Sequence, residues 1–491
     1  MPHQDLSPSV SLNSRYLKQA LQWLLVGMDW KTIAFRHDCT WTPPLLVRAA
    51  LLWAWSGEQT LQERFVTTHR LMAYLFPDHG PLAGSSQAFM KLLRHWTVPL
   101  VCLLTAALRK RVRQALPWQW ESCGFVVYGV DGSRVELPRT KSHEAAYAPS
   151  LKRLKPRKPS CGKRSKRAAG TKAARVPQMW LTTLFHVGTG LPWDWRIGPA
   201  DSSEREHALQ MLKDLPEGSL MTADAGFVGY DFARQVLESG RHLLVRVGAN
   251  VKLLRKLGFV RESSGTVYVW PDEAARRFSP PLVFRLIVAQ GPRSPISLIT
   301  SVLSPKTLND RAVLDLYRKR WGVELFYRTL KQTFGRRKLR SLSSQNAAVE
   351  LEWSLVGLWG MGLSAAVEIA KVQVPLSRIS MAGVLQSFRR LMRDYRHPVV
   401  RGQTFCAMLR ESVTDTYERK NKASRNFTRK KKEQPAGSPK IIDATFRQIE
   451  HARVLSSSTG VKGVGGHPLA AGGASMRNRG TQRTTALWDR R

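Results

Sequence analysis

Four polar side chains lie at helical spacing in the second half of the chain: Tyr317, Arg320, Glu324 and Lys331. At about 100° per residue they fall within an arc of about 60° on a helix, so they would form one polar stripe. A carboxylate held between an arginine and a lysine suits a metal ion that contacts a phosphate. The alternative is an ordinary surface helix that carries an Arg/Glu pair four residues apart.

The same segment predicts how that stripe is positioned. Apolar side chains gather on the neighbouring face of the helix, which can therefore be buried while the stripe follows the edge of a core. These apolar positions are Ala312, Leu316, Val323, Phe326, Leu330 and Phe334.

Two aspartates follow strand-like runs earlier in the chain. Asp131 ends the apolar part of VVYGVDGSRVEL, and Asp224 ends that of SLMTADAGF. Each alone could be a turn or helix-cap aspartate. With Glu324 they give the order Asp, Asp, Glu, which suits a two-metal phosphoryl-transfer site. Mg²⁺ prefers oxygen ligands, and two ions about 3.5–4 Å apart can activate one oxygen and stabilise another.

The spacing of the stripe residues resembles the Y-(2)-R-(3)-E-(6)-K motif of the DDE transposases of the IS4 family. All four motif positions match, and they follow the two aspartates in the family's order. The resemblance covers the chain from Phe125 to about Phe334. It implies a ribonuclease H-like catalytic core, dependence on two Mg²⁺ or Mn²⁺ ions, and cut-and-paste movement of an insertion sequence.

The resemblance also implies a role for each site residue. The catalytic acids and metal ligands would be Asp131, Asp224 and Glu324. The residues near the cut that hold DNA would be Tyr317, Arg320 and Lys331, with Trp321 where some family members also have an aromatic residue. The partners would be double-stranded DNA, at the element ends and at the target, and a second copy of the chain in a homodimer.

The elements around the two aspartates predict a core without use of the motif. A strand ends at Asp131, and a hairpin (QMWLTTLFHV, GTG, LPWDWRI) and a helix (SEREHALQMLKDL, with Ser203 as N-cap) follow. Next come the strand that ends at Asp224, a helix closed by Gly240 and the strand HLLVRVG. This order predicts an α/β fold with a ribonuclease H-like mixed-sheet core.

Four other polar residues compete for a role in this core. His186 and His207 lie on a predicted strand and helix, where packed or surface histidines are the better interpretation. Asp194 lies in the aromatic hairpin, and Asp201 lies just before a helix, where capping explains it. We therefore expect Asp224 to be the second acid.

The gap between Asp224 and Glu324 is longer than a helix and a strand need. Residues from about 250 to 304 contain the β-rich runs SGTVYVWP, PLVFRLIVAQ and SPISLITSVLS. They resemble the β-strand insertion that the family places before its catalytic glutamate. Some relatives use an aromatic residue there to hold a flipped base, with Trp270 or Tyr268 as the candidate here, since stacking contributes about 1–3 kcal/mol. The alternative is an aromatic side chain buried in a strand.

The chain divides into four predicted regions. Residues 1–118 are predicted to be helical and, by resemblance, to bind the DNA ends. Residues 119–345 are predicted to form the core, with a basic loop at 139–175 and the insertion at about 250–304. Residues 346–418 are predicted to be helical, and residues 419–491 to form a basic and mostly disordered tail with a short helix near IIDATFRQIEHARVL. The basic loop predicts a flexible segment that follows the nucleic-acid backbone, and the alternative is an insertion without that use. Arg109, Lys110, Arg111 and Arg113 could contact phosphates or merely solvate a helix face.

Composition limits the partners. The chain has 77 lysines and arginines against 36 acids, a formal charge of +41, which favours a polyanion because each neutralised phosphate releases counterions. An anionic membrane surface or a ribosomal role would not explain the ordered acids. The five scattered cysteines include no CxxC pair, which argues against a disulfide framework or a zinc site.

No membrane association is expected. The N-terminus lacks the pattern of a signal peptide. The run LVGLWGMGLSAAVEIA contains Glu368 and is shorter than a span of about 20 residues, so it predicts a buried helix.

We expect a bacterial cytoplasmic, nucleoid-associated DNA transposase that cuts element ends and joins the 3′-hydroxyl to target DNA. The alternatives are a catalytically inactive DNA-binding relative and a structure-specific nuclease on the same fold.

Overall fold

The computed structural model describes residues 12–37, 39–79, 82, 84–150, 176–290, 295–397, 403–414 and 437–459. The N-terminal part is helical, as the apolar periodicity predicts. Its helices are α1 (Leu12–Leu25), α2 (Pro43–Trp55), α3 (Leu61–Leu75) and α4 (Ser86–Ala115). A capping box between Thr60 and Glu63 starts α3, and Ser85 caps α4.

A mixed sheet, with ten strands among the described residues, forms the centre of the molecule. Its first strands and connecting helices are β1 (Val127–Glu136), α5 (Lys141–Tyr147), β2 (Gln178–His186), β3 (Leu191–Gly198), α6 (Glu204–Met211), β4 (Leu220–Ala223), α7 (Tyr230–Glu238) and β5 (His242–Val247). The strands lie in the order β3-β2-β1-β4-β5, with β2 antiparallel to both neighbours and β1, β4 and β5 parallel. The predicted order of strands and helices in this region is confirmed, except for α5, which the sequence pattern did not predict.

The predicted β-rich insertion extends this same sheet. Its elements are β6 (Lys252–Arg255), β7 (Thr266–Val269), α8 (Asp272–Arg276), β8 (Leu282–Ala289) and β9 (Ile296–Thr300). Because β9 pairs antiparallel with β5, the sheet continues in the order β5-β9-β8-β7-β6. The insertion is therefore hydrogen-bonded to the core instead of forming a separate layer.

The prediction of one continuous helix over the polar stripe is wrong. The segment consists of α9 (Asp310–Lys319), α10 (Gly322–Arg328) and a wide π turn over Thr329–Thr333. Between α9 and α10 the backbone tightens, since the N–H groups of Trp321, Val323 and Glu324 donate to carbonyls three residues earlier. The predicted apolar face is buried, except for the partly exposed Ala312, at Leu316, Val323, Phe326, Leu330 and Phe334.

The C-terminal helices cover the sheet and contact the N-terminal ones. They are α11 (Ser344–Lys371), α12 (Met381–Arg393) and α13 (Phe405–Glu411), followed by β10 (Lys440–Asp443) and α14 (Phe446–Thr459). The predicted buried helix is confirmed as α11, which packs against α2, α4 and β3. The short helix predicted in the tail is confirmed as α14, whereas β10, which pairs parallel with β6, has no signal in the sequence pattern.

The predicted flexible loop at 139–175 is helical in its first part. Thr140 caps α5, and the Nδ1 atom of the buried His143 lies 2.7 Å from the carbonyl oxygen of Pro138. The prediction is wrong for this stretch, because the basic composition of the whole segment concealed the helix-favouring run KSHEAAY. Residues 151–175, like 419–436 and 460–491 of the predicted tail, lie outside the described residues.

Two helices, α4 and α11, have the length and composition of a membrane span. Within the protein, 89% of the most apolar stretch of α11 is buried, against 39% for α4. Buried core helices have the same composition, so this is weak evidence for a membrane.

Candidate active site

Asp131 lies in the middle of β1, and Asp224 directly follows the adjacent parallel strand β4. The prediction that the first strand ends at Asp131 is wrong, because β1 continues to Glu136 through its pairing with β2. The register of β1 and β4 pairs Gly129 with Thr222, so two residues further along Asp131 stands opposite Asp224. Neighbouring strands are about 4.8 Å apart, and side chains in register point to the same face of a sheet. The two carboxylates predicted from separate strand-like runs are therefore brought to one edge.

The helix α10 lies over β1 and β2 at this edge. The hydroxyl of Tyr327 donates to the carbonyl oxygen of Asp131 at 2.7 Å and lies 3.2 Å from that of Leu181. At the start of α10, a Cβ on Gly322 would lie 2.6 Å from the ring of Phe185, so glycine permits the close approach. These contacts bring the third acid of the predicted triad, Glu324, to the aspartates.

Arg320 and Glu324 form an ion pair inside the site. Nη2 of Arg320 donates to Oε1 of Glu324 at 2.9 Å. Only 7% of Arg320 is exposed, yet its Nε and Nη1 atoms find no acceptor among the described residues. Buried donors without acceptors are energetically costly. The Nε and Nη1 atoms of Arg320 are therefore available to donate to an anionic oxygen.

The two other motif residues flank this pair. The ring of Tyr317 lies 5.5 Å from the guanidinium carbon of Arg320, and burial raises the pKa of the tyrosine. Nζ of Lys331 donates to Oγ of Ser133, two residues after Asp131, at 2.7 Å. The structure thus brings the predicted motif residues and the two aspartates together.

Burial and the negative charges of neighbouring carboxylates both raise the pKa values of Asp131 and Glu324. Burial raises the pKa of Asp131 to about 6, and the charges of Asp224 and Glu324 add to the shift. Burial also raises the pKa of Glu324, although Arg320 opposes the shift. Crowded carboxylates of this kind are stabilised by a nearby cation.

A further carboxylate, Glu204 at the start of α6, reaches this cluster and was missed in the sequence. Burial, together with the charges of Asp131 and Asp224, raises the pKa of Glu204 to about 7. A Cβ on Gly132 would lie 2.5 Å from Oε1 of Glu204, so the side chain passes where only glycine leaves room. Its one sequence signal was an acid in the first turn of the helix that follows the predicted hairpin.

Arg246 is a second residue that sequence reasoning missed. The register pairs Ala223 with Val245, which sets Arg246 beside Asp224 on the next strand. Its Nε atom is buried and has no hydrogen-bond partner among the described residues. Nothing in the local pattern HLLVRVG distinguishes this arginine from any other strand residue.

The donor set fits hard divalent cations, because every candidate ligand is a carboxylate. Among the residues that the structure describes, no three His, Cys, Asp or Glu side chains are arranged to hold an ion as they stand. Glu324 is engaged by Arg320, and Oδ1 of Asp224 accepts from the N–H of Gly226 at 2.8 Å. Each contact engages one carboxylate oxygen, so the second oxygen of Glu324 and of Asp224 is not used by these hydrogen bonds.

The aromatic candidates differ in exposure. Trp270 is 4% exposed, its indole N–H donates to the carbonyl of Ser279, and its ring packs against His451 of α14. Tyr268 is fully buried and donates to Glu262 at 2.8 Å. The buried-strand alternative fits both side chains, whereas Trp321 is 57% exposed beside the motif.

The competing polar residues have structural partners. His186 is buried between Trp120 and Thr189, and burial lowers its pKa to about 4. His207 lies 3.0 Å from the hydroxyl of Thr182. Asp194 pairs with Arg196 and Arg109, and Asp201 accepts from Ser150.

The arginines of α4 also contribute to packing. Arg109 donates to the carbonyl of Trp193, and Arg111 donates to that of Val26. The guanidinium of Arg113 lies over the ring of Trp120 at 4.6 Å. These contacts explain the cluster without DNA, while Lys110 is exposed.

Comparison with known proteins identifies relatives of this region. Residues 124–358 match the family described as the transposase DDE domain. Over 250 residues the chain is 28% identical to the transposase InsG for insertion sequence element IS4 of Escherichia coli (strain K12), which covers 49% of this chain and 51% of that protein. The chain thus spans about half the length of this curated relative.

One solved structure is more distant. The cryo-EM structure of the piggyBac transposase synaptic complex with hairpin DNA covers 85% of this chain and 88% of its own, with 9% identity and a TM-score of 0.36. The match to the DDE domain, the similarity to the IS4-element transposase and the matched motif agree, so residues 124–358 are similar to the DDE domain of IS4-family transposases.

Proposed function

We propose that the chain is a DNA transposase of an insertion sequence, which cuts the element ends and joins the freed 3′-hydroxyl to target DNA. The observation that carries this proposal is the alignment of Asp131 with Asp224 on adjacent strands, within electrostatic reach of Glu324. All three acids lie within the matched transposase DDE domain. The net charge of +41 supports a polyanionic partner.

The core of this enzyme is proposed to have a ribonuclease H-like fold. The strand order β3-β2-β1-β4-β5, with β2 antiparallel, supports it. The positions of the two aspartates, on β1 and directly after β4, also support it, since both acids lie at one edge of the sheet.

Asp131, Asp224 and Glu324 would hold two Mg²⁺ or Mn²⁺ ions. When bound, such a pair of ions activates the attacking oxygen and stabilises the leaving one. The raised pKa of Asp131 supports this role, because a cation would relieve the repulsion among the acids. Glu324 would leave Arg320 on binding, and Arg320 would then turn its donors to a DNA phosphate.

We assign the positioning of DNA to the cationic side chains of Arg320 and Lys331 and to the exposed Trp321. Arg320 and Lys331 neutralise phosphate charge near the cut, and Tyr317 orients Arg320. Trp321 is accessible to a base in this conformation, whereas Trp270 would first need α14 to move away. Residues 1–118 are assigned to end binding, and a homodimer would bring both ends together.

The test is cleavage and binding of DNA that carries the element's own ends. Glu324→Gln should abolish Mg²⁺-dependent nicks at the ends while leaving end affinity within about threefold, because the binding surface is largely outside the acids. Glu273→Gln, on exposed α8, is the matched control and should cut like the wild type. Loss of end binding in a folded Glu324→Gln protein would contradict the assignment, and cuts without strand-transfer products would favour the nuclease.

A further inference from the structure

A basic cavity of about 390 Å³ opens beside the candidate active site. It is lined by Arg134, Glu136, Gln178, Lys331, Gln332 and Arg337. Three of these side chains are cations and one is an acid, so the lining has a net charge of about +2 at neutral pH. Apart from Lys331, none of them belongs to the transposase motif.

The cavity is built on the paired strands β1 and β2. Arg134 stands opposite Trp180 in the register, and its guanidinium carbon lies 5.0 Å from the centre of that ring. Stacking on a tryptophan holds an arginine in place while leaving its N–H groups free to donate. Arg134 is therefore positioned before any ligand arrives.

The single acid does not neutralise the cavity. Glu136 lies 3.2 Å from Nε of Arg337, but the two side chains are 45% and 77% exposed. An exposed pair of this kind is weak and is easily exchanged. A phosphate could therefore take the place of Glu136 on Arg337, and the amides of Gln178 and Gln332 can also donate to phosphate oxygens.

The cavity adjoins the candidate active site through Lys331. The charges of both Asp131 and Arg337 act on Lys331, which also donates to Ser133 on β1. Arg134 follows Asp131 by three residues along β1, which is about 10 Å at the rise of a strand. Successive phosphates of a DNA strand are further apart than the axial rise of about 3.4 Å per nucleotide, because the strand also winds around the axis. This distance therefore spans one or two nucleotides.

We propose that this cavity binds a backbone phosphate of the DNA strand one or two nucleotides from the scissile phosphate, with Arg134 and Arg337 as its specific donors. The inference rests on the proposed function, since it assumes that DNA lies across the acids. The cavity would fix the register of the strand, so that one particular phosphate reaches Asp131 and Asp224.

The experiment measures DNA binding by the full-length chain without divalent ions, so that the DNA stays intact. The probes are end-containing duplexes in which one phosphate at a time, within six positions of the cut, is replaced by a neutral methylphosphonate. In the wild type, the neutral group should lower affinity by about tenfold when it lies one or two nucleotides from the cut, because a charge-assisted hydrogen bond is lost. With Arg337→Gln, the same substitution should have little further effect.

Matched variants separate this contact from general charge. Arg311→Gln, on the exposed start of α9, removes one positive charge away from the cavity and should keep the wild-type pattern across positions. Arg337 is exposed, so Arg337→Gln should fold normally, and Arg134→Gln provides a second test after its thermal unfolding is checked. Each cavity variant should also reduce the salt dependence of binding by about one charge.

Failure of the inference is distinguishable from failure of the proposed function. A wild type that binds ends no better than unrelated DNA would overturn the proposed function. Specific end binding that is weakened equally by methylphosphonates at all positions would overturn the cavity proposal alone. The same holds if Arg337→Gln and Arg311→Gln change the dependence of affinity on position equally.

Discussion

Glycine at position 132 determines how close Glu204 comes to the two aspartates of the candidate site. Without a side chain on Gly132, the carboxylate of Glu204 reaches β1 from α6, on the side of the sheet that His207 and Thr182 share. Gly129, two residues before Asp131, faces Arg320 instead, where a Cβ would meet Cγ of that arginine at 3.5 Å. The two glycines of β1 thus have different neighbours, and an added Cβ is accommodated more easily at Gly129 than at Gly132.

Gly132→Ala should displace Glu204 and destabilise the protein by about 1 kcal/mol, because an added methyl group must be accommodated in a filled space. In a Glu204→Ala background the same change should cost little, since the colliding side chain is gone. Urea unfolding of the two single variants and the double variant measures this coupling. Gly129→Ala is the control, with a change near zero, and an additive cycle would show that Glu204 does not occupy that space.

At the scale of elements, the break between α9 and α10 sets the direction of Glu324. The tightened turn before Gly322 and the wide π turn after Arg328 change the helical phase in opposite senses. Their effects nearly cancel over the segment, which explains why a uniform 100° period predicted the stripe but not the break. Local patterns of side chains do not record such compensating changes in the backbone.

Gly322→Ala should push α10 away from β2 through the ring of Phe185, which a Cβ would approach to 2.6 Å. We expect a loss of about 1–2 kcal/mol in unfolding free energy and weaker end cleavage, since Glu324 lies on the same short helix. In a Phe185→Leu background the substitution should become neutral or stabilising, because alanine favours a helix over glycine by about 1 kcal/mol. Equal destabilisation in both backgrounds would refute the proposed steric contact.

Other elements show what the sequence could and could not predict. That Asp131 and Asp224 each follow a buried apolar run was predictable, since buried strands give short apolar runs. The end of the first strand was not, because β1 continues past Asp131 with partly exposed residues. Glu204 and Arg246 were not, because their closeness depends on the register of strands and on a neighbouring helix. The pairing of β10 with β6 was equally hidden, since its strand residues are all exposed and join parts of the chain far apart in sequence.

At the scale of the whole molecule, α11 joins the N-terminal helices to the sheet. Its buried Glu350 pairs with Arg64 of α3 and accepts from the N–H groups of Arg340 and Ser341. Two residues further along α11, Glu352 accepts from the indole N–H of Trp195 on β3 at 2.8 Å. The helices and the sheet are therefore linked through polar groups as well as apolar packing.

Glu352 should make stability depend on pH. Burial raises its pKa to about 7, although the hydrogen bond from Trp195 opposes the shift. The folded protein therefore retains a proton that the unfolded chain releases above about pH 4.3. The stabilisation is full below that pH and is lost as the pH rises through 7.

Glu352→Gln should remove this dependence, because a neutral amide keeps an oxygen for Trp195. Unfolding free energies of the variant and the wild type, measured from pH 5 to pH 8, should differ progressively in favour of the variant, by about 1–3 kcal/mol in total. Glu121→Gln, in the exposed segment before β1, is a control for the removal of one acid. A constant difference across this pH range would contradict the assignment.

The most direct test of the central claim is Mg²⁺-dependent cleavage of a linear DNA carrying the element's own ends, with Asp224→Asn beside the wild type. Asp231→Asn, an exposed aspartate at the start of α7, is the matched control. We predict specific nicks at the ends with the wild type and with Asp231→Asn, and none with Asp224→Asn, which should still bind. Binding without any cut by the wild type, in Mg²⁺ and Mn²⁺ alike, would contradict a catalytic triad of Asp131, Asp224 and Glu324.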